Sequence, residues 1–156
     1  MKVYLGIDIG SVSTKFAVLD EGDRLMADLY LPTEGRPVVR LQHGLRQLKR
    51  RLPADAEISG VGTTGSARFL GGVVVGADLV KNEITCHAVA TLLYFPEVQT
   101  ILEIGGQDSK IIIVRDGVVT DFGMNTVCAA GTGSFLDHQA LRLNMSIEEF
   151  SRRAVN

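Results

Sequence analysis

Gly6-Ile7-Asp8-Ile9-Gly10-Ser11-Val12-Ser13-Thr14-Lys15 is the stretch on which the reading of this 156-residue chain turns. Residues 3–9 alternate and favour β structure, so they predict a strand. Gly10 to Ser13 reads as a turn, and Thr14 to Leu19 as a second strand. Asp20-Glu21-Gly22-Asp23 is a hairpin signal before a third strand over 24–31. A Rossmann unit would put a helix after the first strand; three consecutive strands predict a β-meander instead. The first turn packs an acid, two glycines, three hydroxyls and a lysine into ten residues. Tight turns of this composition offer backbone N–H groups to phosphate oxygens, and glycine permits the close approach. Asp8 can hold a magnesium ion through water, and Lys15 supplies a cation. No Walker sequence is present, and taken alone the stretch also fits an ordinary hairpin.

Working outward, Val38, Leu41, Leu45, Leu48 and Leu52 recur at helical spacing and predict a helix over 38–52, stopped by Pro53. Its Arg40, Arg46, Lys49, Arg50 and Arg51 read as a solvated face with cations favoured at the C-terminal end. A fourth strand over 57–62 leads into Gly62-Thr63-Thr64-Gly65, a loop or the border of a cleft, then a short helix to about Leu70 and a short strand over 78–80. Asn82 caps a helix running to Tyr94. Strands follow over 99–104, 110–115 and 118–124, the last two joined by Asp116-Gly117. Gly131-Thr132-Gly133 opens a helix over 134–143, and Ser146-Ile147-Glu148-Glu149 is a capping box for a final helix.

The pattern of residues 3–31 therefore recurs at 99–124, with an Asp-containing turn around Asp8 in one and around Asp108 in the other. The expectation is an α/β protein of two similar lobes, 1–97 and 98–156, clamping one ligand. The second is short, which predicts a chain that is part of a longer protein.

Sixteen Lys and Arg against eighteen Asp and Glu give a net charge of −2, which argues against nucleic-acid binding through bulk charge. No apolar run is long enough for a membrane span, and the run between Lys2 and Asp8 is too short for a secretory signal. Two cysteines without a Cys-x-x-Cys pattern predict a reducing, cytoplasmic setting. Cys128 precedes a small-residue run opening a helix, where a thiolate is stabilised and a bulky group can approach; a buried, inert cysteine fits the same position. Cys86, on a helix beside His87, reads as core, since adjacent helical residues point in different directions.

Residues 6–11 resemble the first phosphate motif of the actin-like ATPase superfamily, with its ribonuclease H-like lobes of mixed sheets and helices. Ile104-Gly105-Gly106-Gln107-Asp108-Ser109-Lys110 is similar to the second phosphate motif, in the form found in activators of 2-hydroxyacyl-CoA dehydratases and in the ATPase subunits of benzoyl-CoA reductase. Asn125-Thr126-Val127-Cys128-Ala129-Ala130-Gly131-Thr132-Gly133-Ser134-Phe135-Leu136 resembles the segment whose cysteine binds a 4Fe–4S cluster in that family, and residues 82–88 are also similar. The resemblance implies a homodimer sharing one cluster, with a second cysteine ligand and the adenosine site beyond residue 156. ATP binding and hydrolysis, with Mg2+, would drive an electron from a ferredoxin or flavodoxin onto an acyl-CoA dehydratase or reductase partner. It also implies that Gly10, Ser11, Val12, Ser13, Thr14 and Lys15, with Gly105, Gly106, Gln107 and Asp108, cradle the phosphates. Asp8 would hold metal-bound water, Gln107 orient the attacking water, Asp108 or Glu103 assist the metal, and Cys128 ligate the cluster. Glu103 departs from the commoner Asp of the second motif. A sugar or small-acid kinase of the same superfamily, and a non-catalytic nucleotide-sensing module, remain open alternatives.

Overall fold

The computed structural model describes residues 1–125 and 131–155, which form two compact units, 1–87 and 88–156. In the first, β1 (Lys2–Ile9), β2 (Ser13–Asp20) and β3 (Leu25–Pro32) form the expected antiparallel meander. After α1 (Pro37–Arg51), the chain adds β4 (Glu57–Thr64) parallel to β1. Then α2 (Arg68–Val75) leads to the short β5 (Leu79–Val80), parallel to β4. The sheet order is β3-β2-β1-β4-β5.

Strict alternation along β1 puts Val3, Leu5, Ile7 and Ile9 on one face, where Phe16, Val18 and Leu29 join them beneath Leu41 and Leu48 of α1. Each such side chain contributes about 1.5–3 kcal/mol of burial. Gly44 lets α1 lie against the Phe16 ring, which stands where a Cβ at Gly44 would be. The opposite face of β1 carries Tyr4, Gly6 and Asp8 and is open. Helix α1 starts with Pro37 at its first turn and ends where the Leu52 N–H reaches the Leu48 carbonyl. Of its basic residues, Arg51 donates to the Asp28 carbonyl and Arg40 pairs with Glu34. The β2–β3 corner is tied by Asp20, whose Oδ1 accepts from the N–H groups of Gly22 and Arg24 while Oδ2 pairs with the Arg24 guanidinium. These bonds, led by that to the Arg24 side chain, hold the Asp20 carboxyl below the usual carboxylate range.

Helix α3 (Glu83–Tyr94) crosses from the first unit into the second and is capped as its sequence predicts, Asn82 Oδ1 accepting from the Thr85 N–H at 2.8 Å. The second unit contains β6 (Thr100–Ile104), β7 (Ser109–Arg115) and β8 (Val118–Met124), an antiparallel three-stranded sheet. Asp116 and Gly117 both have positive φ, the geometry of a two-residue hairpin corner. Then come α4 (Gly133–Arg142) and α5 (Ile147–Val155), the latter capped by Ser146 Oγ accepting from the Glu149 N–H.

The repetition is closer than the motifs alone indicate. Asp8 pairs with Lys15 and Ile9 with Thr14, while Glu103 pairs with Lys110 and Ile104 with Ser109, a constant offset of 95 residues (103 − 8, 110 − 15). The counterpart of Asp8 is therefore Glu103, and Asp108 stands at the position of Ser13. The irregularity that follows Val18 in the β2–β3 ladder recurs after Ile113 in the β7–β8 ladder, at the same offset.

Two local expectations change. Helix α2 runs to Val75, not about Leu70, because Gly71 and Gly72 sit inside it: Ile9 occupies the place of a Cβ at Gly71, and Val80 with Thr63 crowds Gly72. Gly76, in the left-handed region, ends it. Cys86 is half-buried rather than in the core, since of α3 only Ala88 is fully buried.

Candidate functional site: two glycine turns with cross-strand ion pairs

In the first unit the turn between β1 and β2 is closed by the Gly10 N–H donating to the Ser13 carbonyl at 2.9 Å. A Cβ at Gly10 would lie 2.9 Å from that same backbone oxygen, so close approach, and not a positive φ, requires glycine here. Ser11 and Val12 are exposed at the tip. Thr14 is wholly buried on the helix-covered face, its Oγ1 bonded to Thr33 Oγ1 at 2.9 Å; Thr33 in turn donates to the Gly10 carbonyl and ties the turn to the end of β3. Lys15 Nζ lies 2.7 Å from Asp8 Oδ2 on the open face, with Lys15 about half exposed.

The second unit builds the same turn. The Gly105 N–H donates to the Asp108 carbonyl at 2.8 Å, and a Cβ at Gly105 would meet Asp108 Oδ1 at 2.7 Å. Lys110 Nζ lies 2.9 Å from both Glu103 Oε2 and Asp108 Oδ2, with only 4% of its side chain exposed. Two carboxylates around one ammonium offset its desolvation and leave a local excess of negative charge. Gln107 is exposed at the tip. The Gly133 and Ser134 N–H groups at the start of α4 donate to the Gly105 and Gly106 carbonyls, and Ser109 Oγ donates to the Gly131 carbonyl. The small residues at 131–133 thus seat α4 on the turn. Cys128 lies outside the described residues.

The structure brings Asp8, Gly10, Ser13 and Lys15 together in one cluster, and Gly105, Gly106, Asp108, Lys110 and Glu103 in another. One neighbour has little sequence signal. Gly65, with φ of +93°, places its backbone against Asp8, such that a Cβ there would lie 2.5 Å from Asp8 Oδ1. The parallel pairing of β4 with β1 makes this contact. Only the glycine after two threonines hinted at it.

For a nucleoside polyphosphate the residues fit. Both turns present backbone N–H groups beside glycines that a Cβ would close, with a lysine and a carboxylate at the strand mouth. For Mg2+, single carboxylates completed by water and phosphate suffice. Among the described residues no cluster of three or more His, Cys, Asp or Glu could hold a metal by itself.

The meander and its glycine turn, present twice and extended by parallel β4 and β5 into a mixed sheet in the first unit, define the chain as an actin-like ATPase fold. It belongs to the BadF/BadG/BcrA/BcrD ATPase family, whose profile matches residues 5–156. It is 35% identical to the (R)-2-hydroxyglutaryl-CoA dehydratase activating ATPase of Acidaminococcus fermentans, over 97% of this chain and 58% of the relative. It is 36% identical to the activator of lactoyl-CoA dehydratase of Anaerotignum propionicum, over 94% of this chain and 56% of the relative. The structure of the activator of 2-hydroxyisocaproyl-CoA dehydratase from Clostridium difficile, with bound ADPNP, superposes with a TM-score of 0.82 at 33% identity, covering 94% of this chain and 54% of that one. The chain thus spans little more than half the length of these relatives. Among the described residues no helix is long and apolar enough to cross a membrane.

Proposed function

We propose that this chain is the phosphate-binding part of an ATP-dependent activator that passes an electron from a 4Fe–4S cluster to a 2-hydroxyacyl-CoA dehydratase or a benzoyl-CoA-reductase-type partner. The observation that carries the proposal is the duplicated turn, each copy closed by a glycine N–H and flanked by a cross-strand acid–lysine pair, in a member of an ATPase family. The relatives' activities and the nucleotide analogue in one of them support the nucleotide and the partner class.

Phosphoryl cleavage needs a positioned water and stabilisation of charge on the phosphate oxygens. The N–H groups of residues 11–13 and 106–108, with the Ser11 and Ser13 hydroxyls, would cradle the phosphates with Lys15 as cation, while the Gly10 and Gly105 N–H groups close the turns and Thr14 braces the first from behind. Asp8 would orient the water shell of Mg2+, which when bound offsets charge on the phosphates. Gln107 would orient the attacking water, and Asp108 or Glu103 would assist at the cation. The domains would be a first lobe over 1–97 and the first part of a second over 98–156. Cys128 would ligate a cluster shared by two copies of the chain, resting on the likeness of residues 125–136 to the family's cluster segment. One electron would arrive from a ferredoxin or flavodoxin and leave to the dehydratase or reductase in the cytoplasm.

The test is iron analysis and phosphate release on the whole gene product, purified without oxygen. A brown protein with about four irons per dimer, whose ATPase is lost in Asp8→Asn with its iron unchanged, supports the proposal. A colourless protein that phosphorylates a sugar or small acid favours the kinase reading. Nucleotide binding without turnover favours a sensing module. The end of β4 carries Thr63 and Thr64 rather than a carboxylate, and Asp78 is committed to the Val61 N–H, which weighs against a kinase base at that place.

A further inference from the structure

We infer that Thr64 is a positioning residue for a hydrated divalent cation at Asp8; the inference rests on the nucleotide reading of this site and adds to it a second protein group. Three strands meet at one level: Lys15 on β2 pairs with Asp8 on β1, and Asp8 pairs with Thr64 on β4. Paired positions on neighbouring strands project from the same face of a sheet, so Lys15, Asp8 and Thr64 form a row across it. Asp8 Oδ2 is taken by Lys15, and Oδ1 lies against Gly65, the residue after Thr64.

The next row on that face is Ala17, Gly6 and Gly62. A Cβ at Gly6 would meet nothing nearer than the Ala17 carbonyl at 3.8 Å, and one at Gly62 nothing nearer than the Leu79 carbonyl at 3.9 Å. Packing within the unit therefore does not require these glycines. The bare floor leaves room beside Asp8 for a ligand of the sheet's open face.

The two adjacent threonines are used differently. Thr63 faces the core, and its Oγ1 donates to the Arg68 carbonyl at 3.0 Å. Thr64 Oγ1 is closed off from solvent and has no hydrogen-bond partner among the described residues. An unbonded buried hydroxyl destabilises the fold, a penalty a valine of the same shape would avoid. Thr64 as a residue is only half-buried, and a turn about its χ1 would bring the hydroxyl onto the row it shares with Asp8, where the water shell expected at that carboxylate supplies the missing partner. A hydrated Mg2+ retains several waters and engages few protein groups, so a neutral hydroxyl beside one carboxylate suits it.

The experiment compares Thr64→Val and Thr64→Ser in the whole gene product, using a fluorescent ATP analogue titrated with Mg2+ and again with EDTA. Thr64→Val is expected to keep the unliganded thermal midpoint at or above the parent's and to bind nucleotide in EDTA within about twofold. The gain in affinity that Mg2+ confers should fall about tenfold, the worth of one hydrogen bond. Thr64→Ser should recover most of it. A Mg2+ gain equal to the parent's in Thr64→Val overturns the inference, as does a Mg2+ gain in Thr64→Ser as low as that in Thr64→Val. The nucleotide reading fails separately: if Asp8→Asn leaves Mg2+-dependent binding and turnover intact, the site itself is misassigned, whereas loss in Asp8→Asn beside a silent Thr64→Val removes Thr64 alone.

Discussion

Asp8 and Lys15 are direct partners in the antiparallel β1–β2 ladder, so their 2.7 Å ion pair is fixed by strand register and not by the conformation of the turn between them. Glu103 and Lys110 repeat the relationship across β6 and β7. The acid and the lysine thus reach the mouth of each turn on rigid elements, while the residues expected to meet phosphate, 10–13 and 105–108, sit at the tip. Such a division suits a site whose charged groups must stay in place as a ligand enters.

Replacing Asp8 with Asn removes the charge and keeps the shape. Phosphate release by the whole gene product should fall at least about 100-fold, the usual worth of one preorganised electrostatic group at a phosphoryl-transfer site. Circular dichroism and iron content should be unchanged, since Asp8 lies on the open face, away from the core cluster.

Lys110→Met leaves Glu103 and Asp108 facing one another without the ammonium between them. Stranding a buried partner costs more than the pair contributed, about 3–5 kcal/mol when both are enclosed. Asp108 is nearly half exposed, so a loss of roughly 2 kcal/mol is expected in urea unfolding. Lys15→Met, at an exposed pair, should cost well under half of that.

Gly44→Ala would ordinarily raise helix propensity by about 1 kcal/mol. Here the new methyl must displace the Phe16 ring from the core, and overpacking costs typically 1–3 kcal/mol. A net destabilisation is expected, read as a lower urea midpoint with an unchanged slope. Recovery on adding Phe16→Leu would locate the clash.

Asp20 gives the first unit an acid-side pH dependence. Its carboxyl is held below the normal range chiefly by the Arg24 side chain, so it binds protons less readily folded than unfolded. Its stabilising contribution is therefore present above about pH 4, the unfolded value, and is lost as pH falls from there through the lowered folded value. Asp20→Asn should flatten the acid limb of a thermal-midpoint curve between about pH 5 and pH 2 and lower its plateau.

Much of this was legible in the sequence because the signals were local. Alternation marked β1, Asp116-Gly117 marked the β7–β8 corner, and Asn82 and Ser146 marked helix starts that the structure caps as expected. What escaped depends on pairing at a distance. Matching the turns by their aspartates set Asp108 beside Asp8, whereas strand register makes Glu103 the counterpart. The length of α2 was hidden because Gly71 and Gly72, usual helix breakers, are there to admit Ile9 and Val80. Thr64 acquires meaning only once β4 lies beside β1, and no spacing within residues 57–65 reveals that.

The irregularity shared by the two meanders has a consequence for how the chain tolerates editing. In the β2–β3 ladder Val18 faces Ala27 and Leu19 faces Leu25, leaving Met26 as the odd residue; in the β7–β8 ladder Ile113 faces Asp121 and Val114 faces Val119, leaving Thr120. Such an extra residue bends a ribbon and increases its coil. Each meander is thus a pre-curved strip, and deleting Met26 or Thr120 would do more than shorten a strand. Beyond the cut, Leu25 opposite Leu19 and Val119 opposite Val114 would keep their faces, but the ladder would run regular and lose its bend, so that trimming this one residue flattens the hairpin without re-registering it.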